Sequence, residues 1–249
     1  MSDTPATSAP VRPFSTAPSW MAMQALWLLM VAGVLLWVFQ TTDIDRQIAH
    51  LFFDEQQRVF PLRRTWLFED LLHHSAKQVT YLAVAASLYV CYLGYRGALE
   101  WLPPRNALLA ALGMLLIPLG ITTLKHLISR HCPWDIVDFG GYAPYLHLLD
   151  APPPTIKAGV CFPAGHASTG LLWIVWGVAL RPAGRGMARL GLLAGLLLGG
   201  VLGIARMAQG AHFLSHTLWS LWFAWAMSLG LAHVVAADLR LGTARARQE

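Results

Sequence analysis

WMAMQALWLLMVAGVLLWVF, Trp20 to Phe39, is the stretch that decides the fold. It carries no charge and matches the ~20 apolar residues an α-helix needs to cross the ~30 Å hydrocarbon core of a bilayer. A signal-peptide core is shorter, ~7–15 residues, and ends at a small-residue cleavage site. No such site follows Phe39, so the stretch reads as an uncleaved transmembrane helix. Five more apolar stretches follow, at Val79 to Tyr95, Ala107 to Leu127, Ala167 to Leu180, Met187 to Ile204 and Phe213 to Ala237. The one from Ala167 is short until His166 and its neighbours are counted as its opening turn. Backbone groups in lipid must be satisfied internally, and these stretches are too long and too little alternating for barrel strands. The predicted fold is an all-α integral membrane protein, a six-helix bundle with both termini on one side.

Composition agrees. The chain is 56% hydrophobic and 12% charged, against about 25% charged in an average soluble domain. Eleven Trp suit aromatic belts at both interfaces. The net charge of +5 is spread rather than gathered in runs, so membrane lipids, not nucleic acid, are the expected acidic partner. Residues 1–19, rich in Pro, Ser, Thr and Ala, cannot bury enough apolar surface to fold and read as a disordered tail. Residues 20–238 then form the membrane domain and 239–249 a basic tail.

Lys and Arg divide evenly, nine to each face of such a bundle. On one face they sit in short loops and tails, among them Arg96, Arg105, Arg181, Arg185 and Arg189. On the other they sit in long loops diluted by most of the acidic residues. Short-loop charge is what the positive-inside rule counts, so both termini are expected in the cytoplasm. Between the first two spans, Ile44, Ile48, Leu51 and Phe52 recur among acids and bases at helical spacing, as in an amphipathic helix at the extracytoplasmic interface or a solvated loop with an anchor. In the fifth span Gly191, Gly195, Gly199 and Gly203 line one helix face, a seam for close helix packing.

Ionisable groups are expensive near lipid and mark functional sites there. Three clusters of them emerge on the second face: Lys125 to Pro133, Pro163-Ala164-Gly165-His166, and Arg206 followed by Ala211-His212. Of ten histidines only His233 falls on the cytoplasmic half. Cations and imidazoles gathered at one membrane face fit a pocket for an anion, phosphate foremost. Cleaving a phosphate ester needs cations on the non-bridging oxygens, an in-line nucleophile and an acid for the leaving group. Lys125 and Arg206 supply the cations; His166 and His212 open the fourth and sixth spans, where free N–H groups and the helix dipole favour anions.

On these residues the chain resembles the type 2 phosphatidic acid phosphatases, which share their site with vanadium haloperoxidases. The family pattern is Lys, six residues, Arg-Pro; Pro-Ser-Gly-His; and Ser-Arg, five residues, His, three residues, Asp. This chain reads Lys125 with Cys132-Pro133, Pro163-Ala164-Gly165-His166, and Ala205-Arg206 with His212 and His216. The resemblance implies that His212 is the nucleophile, forming a phosphohistidine, and that His166 protonates the leaving oxygen. Lys125, Arg206 and the Gly165 amide would hold the phosphate, with no metal and no cofactor.

Four positions depart from the pattern. Cys132 lacks the planar donor fork of an arginine, and Arg130, two residues earlier, is the residue that could swing in. Ala164 and Ala205 replace serines. His216 stands where the family has the aspartate that orients the nucleophile, and losing such a carboxylate costs ~10⁴ in rate in serine proteases. Neutral His216 can still accept a hydrogen bond from His212, and Asp135 and Asp138 are the carboxylates nearest in sequence.

Other readings stay open. His212 and His216 at a four-residue spacing fit a metal pair, though Phe213 stands where a zinc protease has its Glu. Lys125 alone could snorkel. The departures could mark a site that binds a phospholipid without catalysis. Cys132 and Cys161 flank one loop and would form a disulfide in an oxidising compartment, pinning the Lys125 cluster beside His166. The expected protein is a bacterial inner-membrane lipid phosphatase with a periplasmic site. Its substrate would be an anionic phospholipid or an isoprenyl phosphate. A phosphotransferase would use the same intermediate.

Overall fold

The structure, a computed structural model, describes residues 19–65 and 73–242, with the side chains of 73–77 outside the description. Residues 1–18 of the expected tail, residues 243–249 of the basic tail, and the His73 and His74 side chains therefore lie outside it. Among the described residues the fold is helical, with isolated bridges but no strand. The long helices are α1 (Trp20–Thr41), α3 (His73–Tyr95), α4 (Pro104–Leu127), α7 (Arg185–Ala208) and α8 (Leu214–Val234); α2 (Ile44–His50) is short. A sixth, continuous helical rod is built from α5 (Gly165–Leu171), a 3₁₀ turn and α6 (Val175–Ala179). Helices α1, α4 and α7 are long and apolar enough to cross a membrane.

The rod is the centre of the bundle. Leu171, Leu172, Ile174, Val175 and Val178 are sealed against Leu109, Met114, Ile117 and Ile121 of α4 and Ala224 of α8. An element surrounded on all sides can be apolar all round and short, which is why 15 helical residues suffice here. The glycine seam of α7 lies directly on it. A Cβ on Gly191 would sit 2.7 Å from the Trp176 carbonyl carbon, and one on Gly203 would sit 2.6 Å from Cγ2 of Thr217 in α8. All four glycines are buried, so the seam works as the sequence predicts.

At one end of the bundle buried Asn106 ties three segments. Its Nδ2 donates to the carbonyls of Ala179 (3.0 Å) and Asp238 (2.9 Å), and its Oδ1 accepts from the Asp238 amide. At the other end, the short helix α2 follows α1. Among the described residues between α1 and α3 only Ile44–His50 is helical; beyond it the chain turns through an Asp54–Val59 bridge. Ala49, Phe53 and Phe60 pack with Ile136, Phe139 and Phe213 into a small aromatic core. Of the apolar residues at helical spacing, Phe52 packs against this core and Ile44 against a cluster around Leu35 and Phe39, while Leu51 stays exposed.

Candidate active site

Helix α7 ends in a Schellman motif. Gly210 adopts φ +70°, its amide donates to Met207, and the Ala211 amide donates to the Arg206 carbonyl. This turn fixes His212 at a set distance beyond Arg206. Gly210 is required twice over, because a Cβ there would also strike the Phe60 ring. Gln209, fully buried, accepts from Arg206 Nη1 through Oε1 at 2.7 Å and aims the guanidinium.

The start of α5 is stapled to the start of α8. The Ala164 amide donates to the His216 carbonyl at 3.2 Å, and Ser220 Oγ donates to both the His216 and Ala164 carbonyls. His166 consequently faces His212 with ring centroids 6.2 Å apart. Ala164 occupies the N-cap of α5 and gives it no side-chain cap. Lys125 reaches in from the last turn of α4, its Cδ 4.0 Å from the Cβ position of Gly165. His212 is 3% exposed. Burial, reinforced by the charges of His216, Lys125, His166 and Arg206, holds its imidazole well below the usual range and keeps it neutral at neutral pH.

Lys125, Gly165, His166, Arg206, His212 and His216 are thus gathered from four elements. Arg130 is not among them. Its guanidinium donates to the carbonyls of Ser129, Leu148 and Asp150, so in this structure it clamps the loop instead of turning toward the anion pocket. Cys132 and Cys161 form a disulfide with Cα atoms 5.3 Å apart. The loop between them folds back at Gly140, with φ +81°, and at Gly141, where a Cβ would lie 2.6 Å from the Ile136 nitrogen.

The expected orienting groups are elsewhere. His216 packs edge-on to His212 with centroids 5.8 Å apart, but it hydrogen-bonds the Cys161 backbone and makes no hydrogen bond to His212. Asp135 accepts from the Cys132 amide, and Asp138 pairs with Arg46 at 2.7 Å. The buried carboxylate near the site is Asp45 of α2, which sequence reasoning missed. It accepts from the Ser215 amide at 2.9 Å and from the Ser215 hydroxyl, capping α8. Burial pushes its carboxyl up to about 6, against hydrogen bonds from Ser215 and Tyr145 that pull it down. His212 Nδ1 meets Sγ of Cys161 at 3.4 Å.

Cys161, His212 and His216 also bring potential metal-ligand atoms within 4.8 Å of one another. With Cys161 bound to Cys132 its sulfur is not a thiolate, and two imidazoles fall short of the three protein ligands a catalytic zinc takes.

On the α3–α4 side a groove of about 640 Å³ runs from this cluster along the helices. Lys125, His126, Gly165 and His166 line its head, and Tyr81, Val84, Met114, Leu115, Pro118 and Leu119 its length. Comparison with curated proteins and with solved structures finds no match to this chain. A family model, that of the PAP2 superfamily, matches residues 106–240, a span that holds every residue of the cluster. By this match over more than half its length, the chain belongs to the PAP2 superfamily, a family of phosphatases acting on phosphate esters.

Proposed function

We propose that this protein is a membrane lipid phosphatase that hydrolyses a phosphate monoester or pyrophosphate on a lipid headgroup through a phosphohistidine on His212. The observation that carries the reading is the groove. A polar head lined by Lys125, His126, Gly165 and His166, the last facing His212, continues into an apolar trough open between α3 and α4. From Met114 to Lys125 the trough follows α4 for roughly 16 Å at 1.5 Å per residue, about the depth of one leaflet of a ~30 Å core. A lipid lying there places its phosphate at the cluster while its tail stays at the depth it occupies in the bilayer.

In this mechanism Lys125, Arg206 and the Gly165 amide hold the non-bridging oxygens. Neutral His212 attacks phosphorus through Nε2 in line with the lipid oxygen. The P–O bond to the lipid breaks as His166 delivers a proton to that oxygen. His166 then takes a proton from water, which attacks the phosphohistidine and releases inorganic phosphate. Preorganised cations and amides in a site of low dielectric stabilise the charge that develops.

In this reading α1, α3, α4, the rod, α7 and α8 cross a bacterial inner membrane, which brings both termini to one side; the short-loop arginines favour the cytoplasm for them and the periplasmic face for the site. The Cys132–Cys161 disulfide supports that side, since disulfides persist in oxidising compartments. The test is phosphate release by purified protein from a panel of phosphatidic acid, phosphatidylglycerol phosphate and isoprenyl pyrophosphate. Release by the wild type and none by His212→Ala is the expected result. A wild type that binds these headgroups and releases phosphate from none would overturn it.

A further inference from the structure

A histidine attacks through one nitrogen, so the proton must be held on the other, and the group that holds it decides whether the nucleophile is armed. Among the described residues that group is not a carboxylate. Asp135, Asp138 and Asp45 are committed to Cys132, Arg46 and Ser215, and Asp150 to His147 and Gln40. His216, although adjacent, bonds the Cys161 backbone. What faces His212 Nδ1 is the Cys161 sulfur, 3.4 Å away, with both residues buried.

The geometry points to the Cys161 sulfur as the positioning group of the nucleophile, a role distinct from the cross-link it shares with Cys132. A disulfide sulfur has no hydrogen and can only accept. Contact with Nδ1 therefore selects the tautomer that carries its proton on Nδ1 and leaves the Nε2 lone pair for phosphorus. The same sulfur lies 2.9 Å from the Ala211 carbonyl, on the turn that leads into His212, so its place relative to the ring is set on two sides. Sulfur is a weak acceptor, but burial of the ring lowers the local dielectric and raises the value of any bond that is made. This assignment rests on His212 as the nucleophile.

The test separates the sulfur from the cross-link. Cys132→Ala breaks the disulfide and leaves a Cys161 thiol, which gives its hydrogen to the Ala211 carbonyl and still accepts from Nδ1. Cys132→Ala/Cys161→Ala breaks the disulfide and removes the acceptor. Both lack the cross-link, so a purely structural role makes them equal. The positioning role makes kcat of the double variant about fivefold lower than that of Cys132→Ala, the size of one modest hydrogen bond, with KM unchanged. Nitrogen-15 NMR of His212 supplies the second readout. The oxidised wild type is expected to show a protonated Nδ1 and an unprotonated Nε2, and the double variant a mixture of tautomers. Equal kcat for the two variants together with an unchanged tautomer, or an Nε2-protonated ring in the oxidised wild type, overturns the assignment. If no form releases phosphate, the functional reading fails, and the NMR comparison alone decides whether the sulfur orients the ring.

Discussion

Replacing Asp45 with asparagine and following stability from about pH 5 to about pH 8 isolates the one buried carboxylate that joins α2 to α8. Burial raises its carboxyl from 3.8 to about 6, and at about 1.36 kcal/mol per pKa unit the difference is about 3 kcal/mol. The folded protein binds this proton more tightly than the unfolded chain does. Its contribution is therefore fully present below pH 3.8 and is lost as pH rises through 6, the reverse of a salt-bridged carboxylate. Of the ~3 kcal/mol, about 1.4 kcal/mol is lost between about pH 5 and about pH 8. Asparagine keeps the shape and an acceptor for Ser215 but does not titrate. Unfolding of both proteins in mild detergent micelles, read by tryptophan fluorescence at several pH values, gives the two curves. Other titrating groups cancel in their difference, so Asp45→Asn should gain about 1.4 kcal/mol on the wild type toward alkaline pH. Parallel curves, or a wild type that gains on the variant as pH rises, would refute the argument.

His166→Ala is expected to lower kcat for a lipid phosphate by ~10²–10⁴, the range for a general acid; an activated leaving group, which needs no proton, should lose far less in the same steady-state assay. Gln209→Leu leaves Arg206 without its 2.7 Å partner and should raise KM, together with the Ki of inorganic phosphate, more than it lowers kcat. Gly203→Val places atoms inside contact distance of Thr217 and should destabilise the protein by about 1–3 kcal/mol in detergent unfolding. Thr122→Trp, in the wall of the groove, should raise KM for a long-chain lipid relative to a short-chain ester of the same headgroup. An equal effect on both esters would disconnect the groove from the tail.

Much of the bundle was legible because bilayer length and small-residue spacing are local signals. Trp20 to Phe39 and the four glycines of α7 needed no knowledge of their neighbours. Boundaries were harder: α3 is already helical at His73, six residues before its apolar run, and α4 begins at Pro104, where a missing amide hydrogen is harmless in the first turn. The cluster of Lys125, His166, Arg206 and His212 was visible as order and spacing. Its supports were not. Asp45 meets Ser215 across 170 residues, and no short-range pattern distinguishes it from Asp43 beside it. Arg130 read as a spare phosphate ligand because its identity is compatible with that role. Only the folded loop shows that carbonyls 18 and 20 residues away claim its guanidinium. Gln209 carried one available signal, its place three residues after Arg206 at the end of a helix. His216 was expected to accept from Nδ1 because it takes the aspartate's place in sequence, yet its ring lies edge-on to His212 at 5.8 Å and bonds the Cys161 backbone instead.

The glycine seam has a consequence for how such a protein diversifies. It welds α7, and with it Arg206, to the rod that carries His166, backbone against backbone, where even a methyl group has no room. The trough on the opposite flank is walled by interchangeable apolar side chains of α3 and α4. Mutations there can retailor which hydrocarbon is accepted while the reaction centre is left untouched, so chain preference and phosphorus chemistry can drift independently under selection.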